Sequence, residues 1–394
     1  MPSFLVFGCA NFYGRAVIEL LCAERDKAVA ENEAAKDSWV IRGVDKILPE
    51  LASFPDATLK LYESFDYRIG NLRCHDFIQR AFEKATDDNA PWDYVINFAA
   101  EHKFGQTPCV YEEDVHHLSI DIAKLAVENN AGALVHLSTA HLYAVSRDGN
   151  SADNNSRHKE DAPVEALNAL AGSHVRAEQD IQKLSDKLQG LAILRPSLCY
   201  GPGDRQNVVP LLIAAQLSRE SGESMEVLWD KDLRVNTVHV SDVARATLLA
   251  ARHCKQHKQK LTFNLSDPGD TTNAKLAKTV AQLFAVKPSF HNFAFNYIAK
   301  RLKTSELTEE VNESLLGPWM ELLAKYNVAN SPLSPYLDQE HPYCRLEYRP
   351  LGIDGSLIEK VLGFKYEYAE ISKDALRQMI EEFQQLGLWP KTEF

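Results

Sequence analysis

A strand that runs directly into a tight turn and a helix is the feature that most limits the fold of this chain. Residues 4–14 read FLVFGCANFYG, and Gly8, Asn11 and Gly14 follow the apolar run in the spacing G-x-x-N-x-x-G. Such a turn lets the backbone approach a pyrophosphate closely, and the free N–H groups of the following helix attract its negative charge. The pattern predicts a dinucleotide site at Gly8, Asn11, Phe12 and Gly14.

Asn11 stands where this kind of turn usually has its middle glycine. Asparagine is the residue other than glycine that best tolerates left-handed backbone angles. We therefore expect Asn11 to adopt them and to preserve the turn, although its side chain could crowd the pyrophosphate.

An acidic residue ends the second predicted strand. Asp45 closes the segment WVIRGVD, where a carboxylate accepts hydrogen bonds from a ribose 2′-OH and repels a 2′-phosphate. Arg42 and Lys46 lie close by in the sequence and weaken this preference. The pattern predicts NAD as the cofactor, with NADP less favoured.

Short apolar runs alternate with amphipathic stretches over the first two thirds of the chain. This alternation predicts an α/β fold in which helical crossovers join the strands of a doubly wound parallel sheet. The runs are apolar throughout, which is typical of strands covered on both faces. The predicted strands are 4–7, 39–44, 58–62, 94–98, 134–137, 192–194 and 261–264.

The chain changes character after about residue 270, where helical patterns dominate. We expect a dinucleotide-binding domain over 1–267, with 196–233 on its substrate side, and a smaller, mostly helical substrate domain over 268–394. The charged, Ala-rich segment 24–38 is expected to lengthen the first helix or its exit. The polar segment 145–165 is expected to form a mobile surface loop.

Composition excludes several classes of function. The formal charge of −12 is opposite to the basic footprint of a nucleic-acid surface. The seven cysteines include no CxxC pair, so no metal site is expected. No apolar run reaches the roughly 18 residues of a membrane span. We expect a cytoplasmic protein that acts on a small molecule.

Several further segments, taken together and in order, resemble one family. They are AILRPSLCYGPGDR at 192–205, RVNTVHVSDVAR at 234–245, NFAA at 97–100 and STAHLY at 138–143. Over about residues 3–267 the chain is similar to the extended short-chain dehydrogenase/reductase superfamily, specifically the NAD-dependent epimerase/dehydratase family. The resemblance implies a Rossmann domain of about seven strands that binds NAD(P), and a nucleotide-sugar substrate.

The resemblance also implies cofactor contacts at matching positions. Asn71 and Leu72 stand where the family contacts adenine, with asparagine in place of the usual aspartate. Ala99 and Ala100 would lie against the cofactor. Pro196 would border the active-site cleft.

The catalytic positions depart from the family pattern. The family's Tyr-x-x-x-Lys pair falls on Leu170 and His174, so the acid/base tyrosine is absent and a histidine replaces the lysine. By motif match, Thr139 would bond the substrate oxygen and Arg234 would hold a substrate diphosphate. His141 occupies a position that is a catalytic glutamate in the family's dehydratases.

Two hypotheses about function remain open. The first is an NAD-dependent oxidoreductase, epimerase or dehydratase that acts on a nucleotide-sugar-like substrate. In it the hydride passes beside Thr139, and His174 bonds the ribose hydroxyls in place of the lysine. The acid/base is relocated to His141, with alternatives at His136, Tyr143, Tyr200 and His158. The second is a catalytically inactive dinucleotide-binding subunit with a structural or regulatory role. The family often dimerises through helices that correspond to 109–129 and 166–188, so a homodimer is also expected.

Overall fold

The computed structural model describes residues 2–32, 39–83, 90–143, 156–166, 168–290, 304–345 and 350–393. Its strands are β1 Ser3–Phe7, β2 Val40–Asp45, β3 Asp66–Ile69, β4 Tyr94–Asn97, β5 Ala133–Leu137, β6 Leu191–Pro196, β7 Leu198–Tyr200, β8 Met225–Val227, β9 Thr237–His239, β10 Lys260–Leu265 and β11 Pro288–Phe290. Seven of them form one parallel sheet in the order β10-β6-β5-β4-β1-β2-β3. This is the expected doubly wound α/β architecture.

The helices pack on both faces of this sheet and in a further hydrophobic core. They are α1 Phe12–Glu31, α2 Asp56–Tyr62, α3 His75–Phe82, α4 Pro108–Tyr111, a π-helix Glu112–His117, α5 Leu118–Glu128, α6 Ala169–Lys183, α7 Val209–Ser221, α8 Val240–His257, α9 Asn273–Leu283, α10 Thr304–Lys325, α11 Ser356–Leu362 and α12 Lys373–Gln385. Apolar side chains of α1 and α8 cover one face. Those of α3, α5 and α6 cover the other. In the part of the chain that the structure describes, no helix is long and apolar enough to cross a membrane.

The strand order reverses at β1, which pairs with both β2 and β4. In open parallel sheets the crevice at the carboxyl ends of the strands on either side of such a switch point is where ligands bind. The turn after β1 opens into this crevice. β1 is buried at all five positions, and the last four form a continuous apolar run, as a strand covered on both faces requires.

One predicted strand is wrong. Residues 58–62 belong to the helix α2, and the third strand of the sheet is Asp66–Ile69, a partly exposed edge strand with the sequence DYRI. The segment 145–165 lies in part outside the described residues. Its end is ordered, because His158 N–H donates to the carbonyl of Gly352 at 2.8 Å and Val164 bridges Tyr143.

The second half of the chain builds a separate hydrophobic core beside the sheet. That core combines side chains from 198–235 and 276–389 with a few from 140–143 and 175. The chain also returns to the sheet, since Ile358 and Phe364 pack in the cluster beneath it. The division at 267 stays a prediction.

Candidate functional site

The turn after β1 depends on two glycines. Gly8 has a φ of +71°, and a Cβ there would lie 2.5 Å from the Ala99 nitrogen. A Cβ on Gly14 would lie 2.1 Å from the Gly8 oxygen. Both distances are too short for any side chain, so the close approach of β1, β4 and α1 requires glycine here. This cradle fits a dinucleotide pyrophosphate.

Asn11 preserves the turn by a different mechanism from the one expected. Its φ of −82° and ψ of 177° are extended, so the predicted left-handed conformation is wrong. Its Oδ1 accepts hydrogen bonds from the N–H groups of Tyr13 at 3.1 Å and Gly14 at 2.9 Å. Its Nδ2 donates to the Phe98 carbonyl at 2.7 Å. Asn11 therefore caps α1 and joins the turn to the end of β4.

Asp45 is buried beside this turn. One carboxylate oxygen accepts from the Ala10 N–H at 2.8 Å, and the other accepts from the Lys46 N–H at 2.7 Å. Burial is the largest effect and raises the pKa of Asp45, while these hydrogen bonds oppose the rise. The carboxylate thus holds the turn, and its contact with a ribose stays a prediction.

The two cations near Asp45 form ion pairs with other carboxylates. The Arg42 side chain is buried, bonds Asp66, and stacks 5.2 Å from the Trp92 ring centroid. The Lys46 ammonium lies 3.6 Å from an Asp114 oxygen. Their proximity in sequence therefore does not make a 2′-phosphate site in the structure.

The other predicted cofactor residues lie around the turn. Ala99 packs against Gly8, and its N–H donates to the Asn97 side chain at 3.0 Å. Leu72 is buried in the core, whereas Asn71 is exposed and accepts from the Arg73 N–H at 3.0 Å. Ala100 is half-buried, and the buried Pro196 ends β6. Their cofactor contacts stay predictions.

One cavity of about 720 Å³ extends from this turn across the carboxyl end of β5. Its wall includes Thr139, His141, Leu170 and His174, so the structure brings the predicted catalytic residues together. Phe12 lines the end of the cavity near the turn. The opposite wall comes from the second half of the chain and includes Pro332, Tyr336, Asp338, Glu340, His341, Leu351, Phe383 and Leu386.

Local structure fixes these side chains. Asn168 caps α6 through the Ala171 N–H at 2.7 Å, which places Leu170 and His174 one turn apart on the helical face toward the cavity. The Thr139 Oγ1 accepts from the His141 N–H at 3.2 Å and so caps a short 3-10 turn. The Thr139 hydroxyl therefore has its own proton and one lone pair left to bond a substrate oxygen.

The cavity histidines are neutral at pH 7. Burial lowers the pKa of His141 to about 4. Burial and the neighbouring His136, His102 and His141 lower the pKa of His174 well below its usual value. His174 therefore cannot supply the fixed positive charge of a lysine. Among the described residues, neither His141 Nε2 nor His174 Nδ1 has a hydrogen-bond partner.

Sequence reasoning missed His341. It enters the cavity wall from the second half of the chain, its Nε2 lies 3.0 Å from the Gln206 carbonyl, and its Nδ1 accepts from the Tyr343 N–H at 3.1 Å. Both nitrogens are thus used in holding the wall. No motif surrounds His341 in the sequence, so only long-range packing could reveal it.

Arg234 does not line this cavity. Its Nε donates to Asp270 at 2.9 Å, and Val235 bridges Leu351 of the cavity wall. The predicted contact between Arg234 and a substrate diphosphate stays a prediction. Gly203 and Asp204, from the GPGD turn that the sequence places at the cleft, do line the cavity.

Acid is expected to destabilise the fold through its buried histidines. Burial lowers the pKa of His136 and His141 to about 4, whereas a histidine in the unfolded chain titrates near 6.5. Each contribution is complete above about pH 6.5 and is lost as the pH falls toward about 4, at about 1 kcal/mol of unfolding free energy per pH unit. Denaturant unfolding at pH 7 and pH 5 measures the decrease in unfolding free energy between the two pH values. This decrease should be smaller by about 1–2 kcal/mol in His141→Gln, whereas the exposed His257→Gln should leave it unchanged. The same decrease in both variants would refute this account.

A comparison with protein families gives a match over the part of the chain that forms the parallel sheet. The profile of the NAD dependent epimerase/dehydratase family matches residues 4–266, about two thirds of the chain. The protein belongs to this family. It is an NAD(P)-binding, epimerase/dehydratase-like protein with a Rossmann fold, as the sequence predicted.

Individual relatives are distant. The chain is 27% identical over 286 residues to the decarboxylating sterol-4-alpha-carboxylate 3-dehydrogenase ERG26 of Candida albicans, covering 71% of this chain and 74% of that one. The UDP-glucose 4-epimerase of Thermotoga maritima, solved with UDP-glucose, aligns with a TM-score of 0.64 and 16% identity over 97% of this chain and 99% of its own. The dTDP-glucose 4,6-dehydratase DesIV of Streptomyces venezuelae, solved with NAD and TYD, gives 0.62 and 17% over 98% of each. At these identities the two structures show a shared fold.

Proposed function

We propose that the protein binds NAD in preference to NADP and uses it on a small-molecule substrate in the 720 Å³ cavity. The observation that carries the proposal is the continuity of this cavity from the glycine turn, through Phe12, to Thr139 and His141. Bound NAD would supply a hydride acceptor or donor at the end of the cavity beside Thr139 and His141. Structures of family members with bound NAD, such as DesIV, support a nicotinamide cofactor.

The preference for NAD rests on charge. In this proposal the adenosine ribose lies beside the buried Asp45, whose carboxylate would repel a 2′-phosphate. The two cations nearby, Arg42 and Lys46, pair with Asp66 and Asp114. Arg42 bonds Asp66 and the backbone carbonyls of Ala81 and Glu83. A 2′-phosphate would therefore meet an anion, and the cation close to it, Lys46, is already paired with Asp114.

His141 is the proposed acid/base. His141 lines the cavity with a neutral imidazole, and its buried Nε2 has no hydrogen-bond partner among the described residues. In the tautomer with the hydrogen on Nδ1, Nε2 would accept the proton of a substrate hydroxyl that displaces the cover over this atom. Thr139, two residues away, would orient the substrate oxygen. His174 would bond ribose hydroxyls as a neutral donor and acceptor in place of the family's lysine.

The relatives point to two different classes of substrate. The T. maritima epimerase was solved with UDP-glucose, which supports the nucleotide-sugar substrate predicted from the sequence. The C. albicans relative is named for a sterol carboxylate. The assay therefore includes both kinds of compound. The cytoplasmic location, the lack of a nucleic-acid partner and the homodimer stay predictions.

A non-catalytic role is the second candidate, and Leu170 is the observation that favours it. The Leu170 side chain lines the cavity at the position matched to the family's tyrosine and has no group that can transfer a proton. In that case NAD would stabilise the fold by mass action without turnover.

The two candidates are separated by one pair of measurements. NAD is expected to raise the melting temperature more than NADP does. Turnover of UDP-glucose and of a sterol carboxylate is then followed both as NADH formation and as conversion of the starting compound, because an epimerase or a dehydratase returns the hydride and accumulates no NADH. His141→Ala should reduce turnover by roughly 10²–10⁴-fold while preserving the NAD-induced shift. A larger shift with NADP would refute the role of Asp45. Unchanged turnover in His141→Ala would refute the acid/base assignment, and a shift with NAD but no turnover would favour the second candidate.

A further inference from the structure

A cluster of histidines and carboxylates lies outside the cavity, on the π-helix Glu112–His117. Glu112, His116 and His117 each present one ligand atom, and these atoms all lie within 4.8 Å of one another. The Glu112 Oε1 is 2.8 Å from the His116 Nδ1 and 3.5 Å from the His117 Nε2. Three potential metal ligands therefore converge on one point at the surface.

The local helix type is what makes this convergence possible. Residues four and five positions after Glu112 share a face because a π-helix closes i→i+5 hydrogen bonds. In an α-helix with about 3.6 residues per turn, the fifth position would point to another side. Single π-helical turns are uncommon and frequently occur at functional sites. Here the π turn brings His117 beside His116 and Glu112.

Each histidine is also oriented from behind by a second carboxylate. The His116 Nε2 lies 2.8 Å from an oxygen of Asp180 on α6. The His117 Nδ1 lies 3.3 Å from an oxygen of Glu113. A carboxylate behind a ligating histidine, which fixes its ring and raises its basicity, is the usual arrangement at protein zinc sites. In both rings the remaining nitrogen faces Glu112.

Glu112 is itself held in place with one oxygen available. Its Oε2 is bonded by the Arg176 guanidinium of α6, while its Oε1 faces the two histidines. The cluster contains three carboxylates, Glu112, Glu113 and Asp180, against two cations, the Arg176 guanidinium and the Lys183 ammonium that lies 2.7 Å from Asp180. The remaining excess of one negative charge favours a cation at the point where the ligand atoms meet.

We propose that Glu112, His116 and His117 bind one Zn²⁺ ion, with Asp180 and Glu113 as outer carboxylates. Two imidazole nitrogens and one carboxylate oxygen are a common zinc ligand set, and the half-exposed His117 leaves room for a water as fourth ligand. The proposed site revises the expectation of no metal, because that expectation was based only on the spacing of the cysteines. It is independent of the proposed cofactor site, because none of its ligands lines the cavity.

Isothermal titration of the metal-free full chain with ZnCl₂ tests the proposal. One ion per chain is expected to bind with saturation, and Co²⁺ should give the strong visible absorption of a tetrahedral nitrogen and oxygen site. Asp180→Asn should weaken zinc binding by roughly 10–100-fold. Glu112→Gln and His117→Ala each remove a ligand and should weaken it further. His117 is about half exposed, so its replacement leaves the fold intact.

The chain offers a matched control. His253 and His257 on α8 also lie four residues apart with ring centroids 4.4 Å from each other, but they have no third ligand in the described structure. His257→Ala should leave the zinc affinity unchanged. Absence of saturable binding, equal affinity in His117→Ala and the wild type, or loss of binding in His257→Ala would overturn the proposal. Circular dichroism and melting without zinc show that each variant is folded.

Discussion

Gly14→Ala is expected to abolish NAD-induced stabilisation and to lower the stability of the free protein by about 3 kcal/mol, at the upper end for an overpacked site. The added Cβ would lie 2.1 Å from the Gly8 oxygen and 2.6 Å from the Cys9 Cα. Both atoms belong to the backbone, so no side-chain rotation relieves the contact. The start of α1 must move away from β1, and the cradle for the pyrophosphate is lost with it.

Gly317→Ala is the control for this substitution. Gly317 lies inside α10, and a Cβ there would meet nothing within 4 Å. Alanine in a helix interior is favoured over glycine by roughly 0.5–1 kcal/mol. Pro318 follows directly and disfavours helical angles for a residue with a Cβ, so the two effects oppose each other and this variant should stay close to the wild type in stability. Thermal melts of both variants, with and without NAD, provide the measurement. If Gly14→Ala retained the NAD-induced shift, the turn would not be the cofactor site.

The architecture was predictable because buried parallel strands carry a strong signal in sequence. Both faces of β1 and β5 are covered, so every position is apolar or buried and the runs stand out. The error at 58–62 has the opposite cause. The true third strand is at the edge of the sheet and half exposed, so it is polar and gives no run. The alternating TLKLY of α2 is a short helix packed by its partly buried leucines.

The candidate site could be predicted only where a short motif carries it. The glycine turn and the group of Thr139, His141 and His174 follow from local spacing. The conformation of Asn11 does not, because the side chain satisfies two helix N–H groups, and this capping decides the backbone angles. The ion pairs that turn Arg42 away from Asp45 and hold Arg234 on Asp270 join residues distant in sequence.

Glu178→Ala is expected to cost about 3–5 kcal/mol of unfolding free energy, the usual result of removing one partner of a buried ion pair. The side chains of Arg195 and Glu178 are only 6% and 5% exposed. The guanidinium also donates to the Tyr143 hydroxyl at 2.9 Å. Without Glu178 the buried guanidinium keeps only neutral hydrogen-bond partners among the described residues, Tyr143 and the Glu160 carbonyl, while the Glu160 carboxylate acts on it by charge alone.

The site should respond as well, because this ion pair joins the cavity walls. Glu178 lies on α6 one turn after His174, and Tyr143 lines the cavity beside His158. A displaced α6 would move His174, so the NAD-induced shift should shrink along with the melting temperature. Replacing both partners with apolar residues, as Glu178→Leu with Arg195→Met, should restore most of the stability because no unpaired charge is left.

Asp374→Ala supplies the exposed comparison. Asp374 pairs with Arg377 on α12 at 3.0 Å and is 82% exposed, and surface pairs of this kind contribute about 0–1 kcal/mol. Denaturant unfolding of the three variants and the wild type at pH 7 ranks them. A cost for Glu178→Ala no larger than that for Asp374→Ala would mean that water reaches the Arg195 guanidinium. The ion pair would then not be what fixes α6 against β6.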